Sequence, residues 1–238
     1  MRALVTGASR GLGLALALQL AERGDEVLAT TRGAVPELER PGVEVLEGID
    51  VARDDAARAL RDAIGDRSLD VVIANAGVNW SFAAGIEELD VDLLRREFEV
   101  NTFGVVRTVQ AALPSMGEGG KIAIISTWRP GVGAARRNYG YQMSKVASNQ
   151  LQFLLADELA ERGIATITLS PGPMDTELLR TVIDAGHANL TAAQAQSPEA
   201  VARDLLARID ELTAADSGAW RFRTGETLEL MTSTVRGH

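Results

Sequence analysis

Ala3-Leu4-Val5-Thr6-Gly7-Ala8-Ser9-Arg10-Gly11-Leu12-Gly13 decides the fold. Three apolar residues suited to a buried strand run into a turn of Gly-x-x-x-Gly-x-Gly spacing. Residues 11 to 23 then read as a nearly all-apolar helix that Gly24 can cap. The chain must reverse tightly at Gly7, Gly11 lets backbone approach a pyrophosphate, and Gly13 lets the helix pack closely on the strand. The free N–H groups and the helix dipole then attract phosphates. Gly7, Ser9, Arg10, Gly11, Leu12 and Gly13 are therefore the expected contacts of a nucleotide cofactor. A glycine turn alone is also compatible with an empty bend; its place at the first strand–helix junction of an alternating pattern argues for a ligand.

That alternation continues outward. Strands are predicted at Val27–Thr31, Val43–Leu46, Asp70–Ala74, Lys121–Ser126 and Ile164–Leu169, with helices over about 53–64, 90–114, 141–162 and 198–213. A late strand around Thr227–Met231 closes the chain, and 173–197 reads as an irregular polar segment able to act as a lid. Strands separated by helices imply an α/β protein: a three-layer, doubly wound parallel sheet, the Rossmann fold. Residues 1–238 contain no repeat or linker, so one domain is expected.

Composition narrows the chemistry. Of 238 residues 46% are apolar and 24% charged, an ordinary globular balance. The net charge of -9 argues against nucleic acid or an anionic membrane as partner. There is no cysteine, and the only histidines are His187 and His238, so disulfide, thiolate and histidine-triad chemistry lack material and no metal site is expected. The N-terminal residues lead directly into a strand and no apolar run approaches the ~20 residues that span a bilayer, so a cytoplasmic location is expected.

Tyr141-Gln142-Met143-Ser144-Lys145 places a phenol and an ammonium four residues apart, on one helix face. A neighbouring cation favours phenolate, so Lys145 is expected to lower the Tyr141 pKa and make it a usable acid. With the glycine turn, this motif resembles the short-chain dehydrogenase/reductase family, and the resemblance runs along essentially the whole chain. Asp50-Val51 resembles the acidic position that contacts adenine, and Asn75-Ala76-Gly77 the signature after the fourth strand. Asn101 stands at the position of the family's catalytic asparagine; Pro171-Gly172 and Thr176 stand in the segment that lines the nicotinamide.

The resemblance implies a catalytic set of Asn101, a hydroxyl, Tyr141 and Lys145, with Tyr141 and Lys145 also touching cofactor. Thr127 is the expected hydroxyl and Ser126 the reserve, the spacing to Tyr141 being one residue longer than the family's, which an insertion within Trp128-Arg129-Pro130-Gly131 absorbs. It further implies hydride transfer between a nicotinamide and a carbonyl or alcohol carbon of a small molecule, and pairing of the helices at 90–114 and 141–162 into a homodimer or homotetramer. Where family members using NAD carry an acid at the end of the second strand, this chain has Thr31 followed by Arg32, with Arg10 in the turn. Two guanidinium groups and no carboxylate suit a 2′-phosphate, so NADP(H) is expected over NAD(H). Ser217–Phe222 with Gly225-Glu226 loosely resembles the small carbonyl reductases of the sniffer and C-factor type. Trp80 and Trp128 follow strands at their carboxyl ends and suit either a pocket wall or the core; His187 reads as a solvated loop residue. The other readings of the same residues are an epimerase, dehydratase or cyclase, or a nucleotide-sensing regulator.

Overall fold

The computed structural model describes residues 1–81, 85–127, 138–186 and 194–228. The elements are β1 (Arg2–Val5), α1 (Gly11–Glu22), β2 (Glu26–Thr31), β3 (Val43–Glu47), α2 (Ala56–Ile64), β4 (Leu69–Ala74) and α3 (Val91–Phe98). There follow α4 (Gly104–Ala112), β5 (Met116–Ile125), α5 (Tyr139–Glu158), β6 (Ala165–Ser170), α6 (Glu177–Asp184), α7 (Pro198–Glu211) and β7 (Ala219–Phe222). The seven strands form one sheet in the order β3-β2-β1-β4-β5-β6-β7, every pair parallel. This is the expected doubly wound Rossmann sheet. Its order reverses between β1 and β4, where such sheets open a crevice at their carboxyl ends.

Because side chains alternate across a strand, each strand feeds two cores. Ala3, Val5, Val71, Ile73, Ile167 and Leu169 face α1 and α7, together with Leu16, Leu20, Leu205 and Ile209. Leu4, Val72, Ile122 and Ile124 face the other way and pack with Leu60, Ile64, Val105 and Val109 of α2 and α4.

Several boundaries differ from expectation, each for a physical reason. The helix expected at 90–114 is three pieces: α3, a π-helical turn at Glu99–Phe103, and α4. Such turns cluster at functional positions, and this one carries Asn101. The 141–162 helix begins two residues earlier, at Tyr139, and a short 3-10 turn at Ala160–Arg162 follows it. The stretch 173–197 is not wholly irregular. Thr176 caps α6 by accepting from Leu179 N at 3.4 Å, and Glu177 favours the helix's positive end; residues 187–193, with His187, lie outside the described residues.

Among the described residues the last strand is Ala219–Phe222, a segment not expected to be one. Trp220 is buried there and its Nε1 donates to Ser170 Oγ at 3.0 Å, which anchors the segment against β6. Thr227 makes only an isolated antiparallel bridge to Arg221, and residues 229–231 lie outside the described residues. No helix among the described residues is long and apolar enough to cross a membrane.

Candidate active site

The turn after β1 is built by backbone contact. Gly7 has φ +70°, and a Cβ there would lie 2.8 Å from Ala76 Cα, so only glycine fits between β1 and the end of β4. A Cβ on Gly13 would overlap the Gly7 carbonyl. Asn75 binds the two strand ends together: its Nδ2 donates to the carbonyls of Thr6 (3.0 Å) and Gly7 (3.3 Å), and its backbone N–H donates to Thr6 Oγ1 at 3.1 Å. Arg10, at the N-cap of α1, contributes no side-chain cap. The first-turn amides therefore keep their donor capacity for an anion in the cleft.

The second group of residues comes from the ends of β4 and β5 and from α5. Lys145 Nζ is buried and donates to the Ile125 carbonyl at 2.8 Å. Burial brings its pKa down to about 8. Tyr141 sits one turn earlier, with Lys145 Nζ 5.9 Å from its ring centroid. Its phenol is pushed up to about 12, chiefly by burial; Glu97 adds in the same direction, and a hydrogen bond with Thr127 opposes them. The expected lowering by Lys145 does not appear, because the ammonium is turned to a backbone carbonyl and burial dominates.

The Thr127 hydroxyl is joined to the phenol, while Ser126 Oγ is buried without a partner among the described residues. Asn101 is fully buried. Its Oδ1 accepts from Val78 N at 2.9 Å, and its Nδ2 donates to Val78 O (2.9 Å) and Ser144 Oγ (3.0 Å). Gly77 is where these lines meet: a Cβ there would lie 3.3 Å from Lys145 Nζ and 3.4 Å from Asn101 Oδ1.

Both groups open into one cleft of about 1510 Å³, lined among others by Gly7, Ser9, Arg10, Thr31, Asn75, Tyr141 and Lys145. A family model described as short chain dehydrogenase matches residues 1–186. The chain belongs to the short chain dehydrogenase family. It is 32% identical to 1-hydroxy-2-glutathionyl-2-methyl-3-butene dehydrogenase of Rhodococcus sp., over 95% of this chain and 98% of that one. A carbonyl reductase structure from Pseudomonas aeruginosa is 25% identical, covers 96% of this chain and 99% of its own, and superposes with a TM-score of 0.82. The Sniffer protein of Caenorhabditis elegans, at 21% identity, 96% and 99% coverage and a TM-score of 0.76, shares the fold.

Gly11, Leu12, Gly13, Arg32, Asp50, Val51, Ala76, Gly77, Pro171 and Thr176 also line this cleft. Thr31 ends β2, 1% exposed, with its hydroxyl unpartnered among the described residues; Arg32 beside it is exposed. Asp50 caps its own turn by accepting from Ala52 N at 3.0 Å, and Val51 packs under Gly104. Arg10 is ion-paired with Glu177 of α6. Gly172 departs from expectation: it is not among the cleft-lining residues, and a Cβ on it would meet the Phe222 ring at 2.9 Å, so it serves the packing of β7. Trp80 lines the cleft, and Trp128 lies outside the described residues. Sequence reasoning missed Arg96, which also lines the cleft, and the buried pair Glu97 and Ser81 behind it. Glu97 stands four residues before Asn101, hence on the same helix face, and that spacing was the available signal.

Proposed function

We propose that this protein moves hydride between NADP(H) and the carbonyl or alcohol carbon of a small molecule. The observation carrying this reading is the Thr127–Tyr141 hydrogen bond beside Lys145, in the cleft that also holds the glycine turn. The cleft suits a dinucleotide: it offers the uncapped amides of α1 to phosphates and leaves no room for a side chain at Gly7. A nicotinamide held there supplies or takes up the hydride.

The chain's own part is proton movement and charge stabilisation. In reduction, Tyr141 gives its phenolic proton to the forming alkoxide while the Thr127 hydroxyl donates to the same oxygen. A phenol held well above neutral pH stays protonated there, the form that donates in reduction. Lys145 would hold the nicotinamide ribose, and Asn101, which braces the loop through Val78, would position the water that links Lys145 to solvent. The name of the Rhodococcus relative describes dehydrogenation of a hydroxy compound, which supports alcohol–carbonyl chemistry over epimerisation or dehydration.

The preference for the phosphorylated cofactor rests on Arg10 and Arg32, with Thr31 leaving no carboxylate to repel a phosphate. Since Arg10 is paired with Glu177, Arg32 bears more of the preference. A turnover screen of ketones, aldehydes and alcohols, read at the reduced-nicotinamide band, tests the reaction; redox-neutral conversion of substrate would replace it with isomerase or lyase chemistry. Titration with both cofactors tests the preference. Arg32→Ala should weaken NADPH roughly tenfold and leave NADH unmoved; equal affinities in the wild type would reject the cofactor reading. Assembly belongs to the same proposal: Met143, Val146 and Leu154 lie exposed along α5, a face suited to a second copy. Light scattering should give a dimer or tetramer, and a 25.3 kDa particle would reject it.

A further inference from the structure

The rim of the cleft beyond Tyr141 contains a tryptophan held from two sides by consecutive residues of α3. The guanidinium carbon of Arg96 lies 5.2 Å from the centroid of the Trp80 ring, and both side chains line the cleft. From the other side, Glu97 grips the same loop by its backbone. Its carboxylate, 0% exposed, accepts from the backbone N–H of Trp80, from Ser81 N at 3.0 Å and from Ser81 Oγ. Ser81 Oγ in turn accepts from Gly140 N at 3.1 Å, in the first turn of α5 beside Tyr141. A Cβ on Gly140 would overlap both Glu97 Oε2 and Ser81 Oγ.

Burying a carboxylate without a basic partner is costly, and among the described residues no Lys or Arg pairs with Glu97. What that carboxylate secures is the position of Trp80, a residue 38% exposed that lines the cleft. A fixed, exposed aromatic wall is a binding surface rather than core. Arg96 completes it. Its neighbours on α3 and α4 have acids of their own: Arg95 pairs with Asp92, and Arg107 with Glu99. No carboxylate pairs with Arg96 among the described residues. A guanidinium stacked on an indole keeps its in-plane N–H groups free, which is the geometry that grips a carboxylate by two bonds.

We propose that Trp80 and Arg96 form the anion-recognising end of the substrate site, so that preferred substrates carry a carboxylate remote from the reacting carbon. The glycine turn, with Arg10 and Arg32, serves the cofactor phosphates, and this second cation serves the substrate. The inference rests on the hydride-transfer reading above and extends it to substrate class.

Matched pairs test it: 4-oxopentanoate, 5-oxohexanoate and 6-oxoheptanoate against their primary amides, with wild type and Arg96→Gln. In the wild type the acids should exceed the amides in kcat/KM by about tenfold through KM, an advantage that added salt erodes. Arg96→Gln should bring the acid-to-amide ratio of kcat/KM to about one, through a rise in KM for the acids. Equal use of acids and amides by the wild type, or an acid preference that survives Arg96→Gln, overturns the inference while turnover of the amides leaves the hydride reading standing. Calorimetric titration with hexanoate and hexanamide reads the same site without turnover. Binding of hexanoate lost in Arg96→Gln supports the site, and equal binding of the two probes rejects it.

Discussion

Helices α1 and α5 are both long crossovers lying against the central strands, yet they are held by different forces. The face that α1 buries is Leu12, Gly13, Ala15, Leu16, Ala17 and Leu20. The face that α5 buries is Gly140, Ser144, Lys145, Ser148, Asn149, Gln152 and Leu155, six of the seven not hydrocarbon side chains. Shape and apolar contact fix α1. Hydrogen bonds locate α5: Ser148 Oγ donates to Asn101 O at 2.7 Å, and Gln152 Nε2 reaches Thr166 O at 3.2 Å and Thr166 Oγ1 at 3.1 Å. The difference follows from what each helix offers the cleft. The first offers backbone amides, which any well-packed helix presents at its start. The second offers two side chains whose protonation matters, and it is aligned by directional bonds.

The largest effect should come from the polar helix. Tyr141→Phe keeps the ring and removes the proton donor, so turnover should fall ~10²–10⁴-fold with folding intact. Thr127→Val should also be severe and Ser126→Ala mild, because only the Thr127 hydroxyl is joined to the phenol. Steady-state kinetics on one carbonyl substrate checks all three; near-normal turnover by the phenylalanine variant would remove Tyr141 from the mechanism.

Next comes a cost that the buried charge on α5 imposes. Lys145 has its pKa brought down from 10.5 to about 8. Between those values the unfolded chain holds a proton that the native protein lacks, so stability rises with pH across that window, by on the order of 3 kcal/mol in all. Tyr141 acts oppositely at higher pH: raised from 10.0 to about 12, it makes stability fall across that range. Urea unfolding of the cofactor-free protein from pH 7 to 10 should show the rise, and Lys145→Met should flatten it. A wild type and variant with parallel profiles would mean that Lys145 is solvated in the native state.

The contrast between the two helices also explains what was legible beforehand. The turn at Gly7–Gly13 declares itself because its steric demands admit only glycine, and those demands are local. The pair Tyr141 and Lys145 declares itself by spacing. The inner face of α5 was harder to read, since Val146, Leu151, Leu154, Leu155 and Leu159 scatter around the helix. Of these, Leu155 and Leu159 enter the core while Val146 and Leu154 face outward. A signal for the polar face existed in β6, where Thr166, Thr168 and Ser170 alternate with Ala165, Ile167 and Leu169. The apolar set feeds the core under α1 and α7, which leaves the hydroxyls to face α5. Glu97 offered its spacing to Asn101 but no sign of its partners. Ser81, which donates to it, stands 16 residues away, and Gly140, which donates to Ser81, stands 59 residues from Ser81; only the folded sheet brings the three together. The strand at Ala219–Phe222 was not foreseen because its anchor, the Trp220–Ser170 bond, is likewise tertiary.

The smallest effect sharpens the comparison most, because it asks whether the polar face of α5 serves stability at all. Asn149 is 0% exposed, and neither polar atom of its side chain has a hydrogen-bond partner among the described residues. An unmet buried amide costs free energy, whereas an apolar group of the same shape restores packing. Leucine shares asparagine's branching at Cγ and is only slightly larger. Asn149→Leu should therefore leave the unfolding free energy unchanged or raise it by about 1 kcal/mol, with turnover unaffected. Leucine substituted at Gln152 should do the reverse, since that amide bonds Thr166, and lose about 1–2 kcal/mol. If both variants lost stability equally, every polar residue beneath α5 would be a structural tie, and the helix would be held by one continuous network. If Asn149→Leu alone gains, the polar face is retained around Tyr141 and Lys145 for what those two side chains do, and its far end is tolerated rather than required.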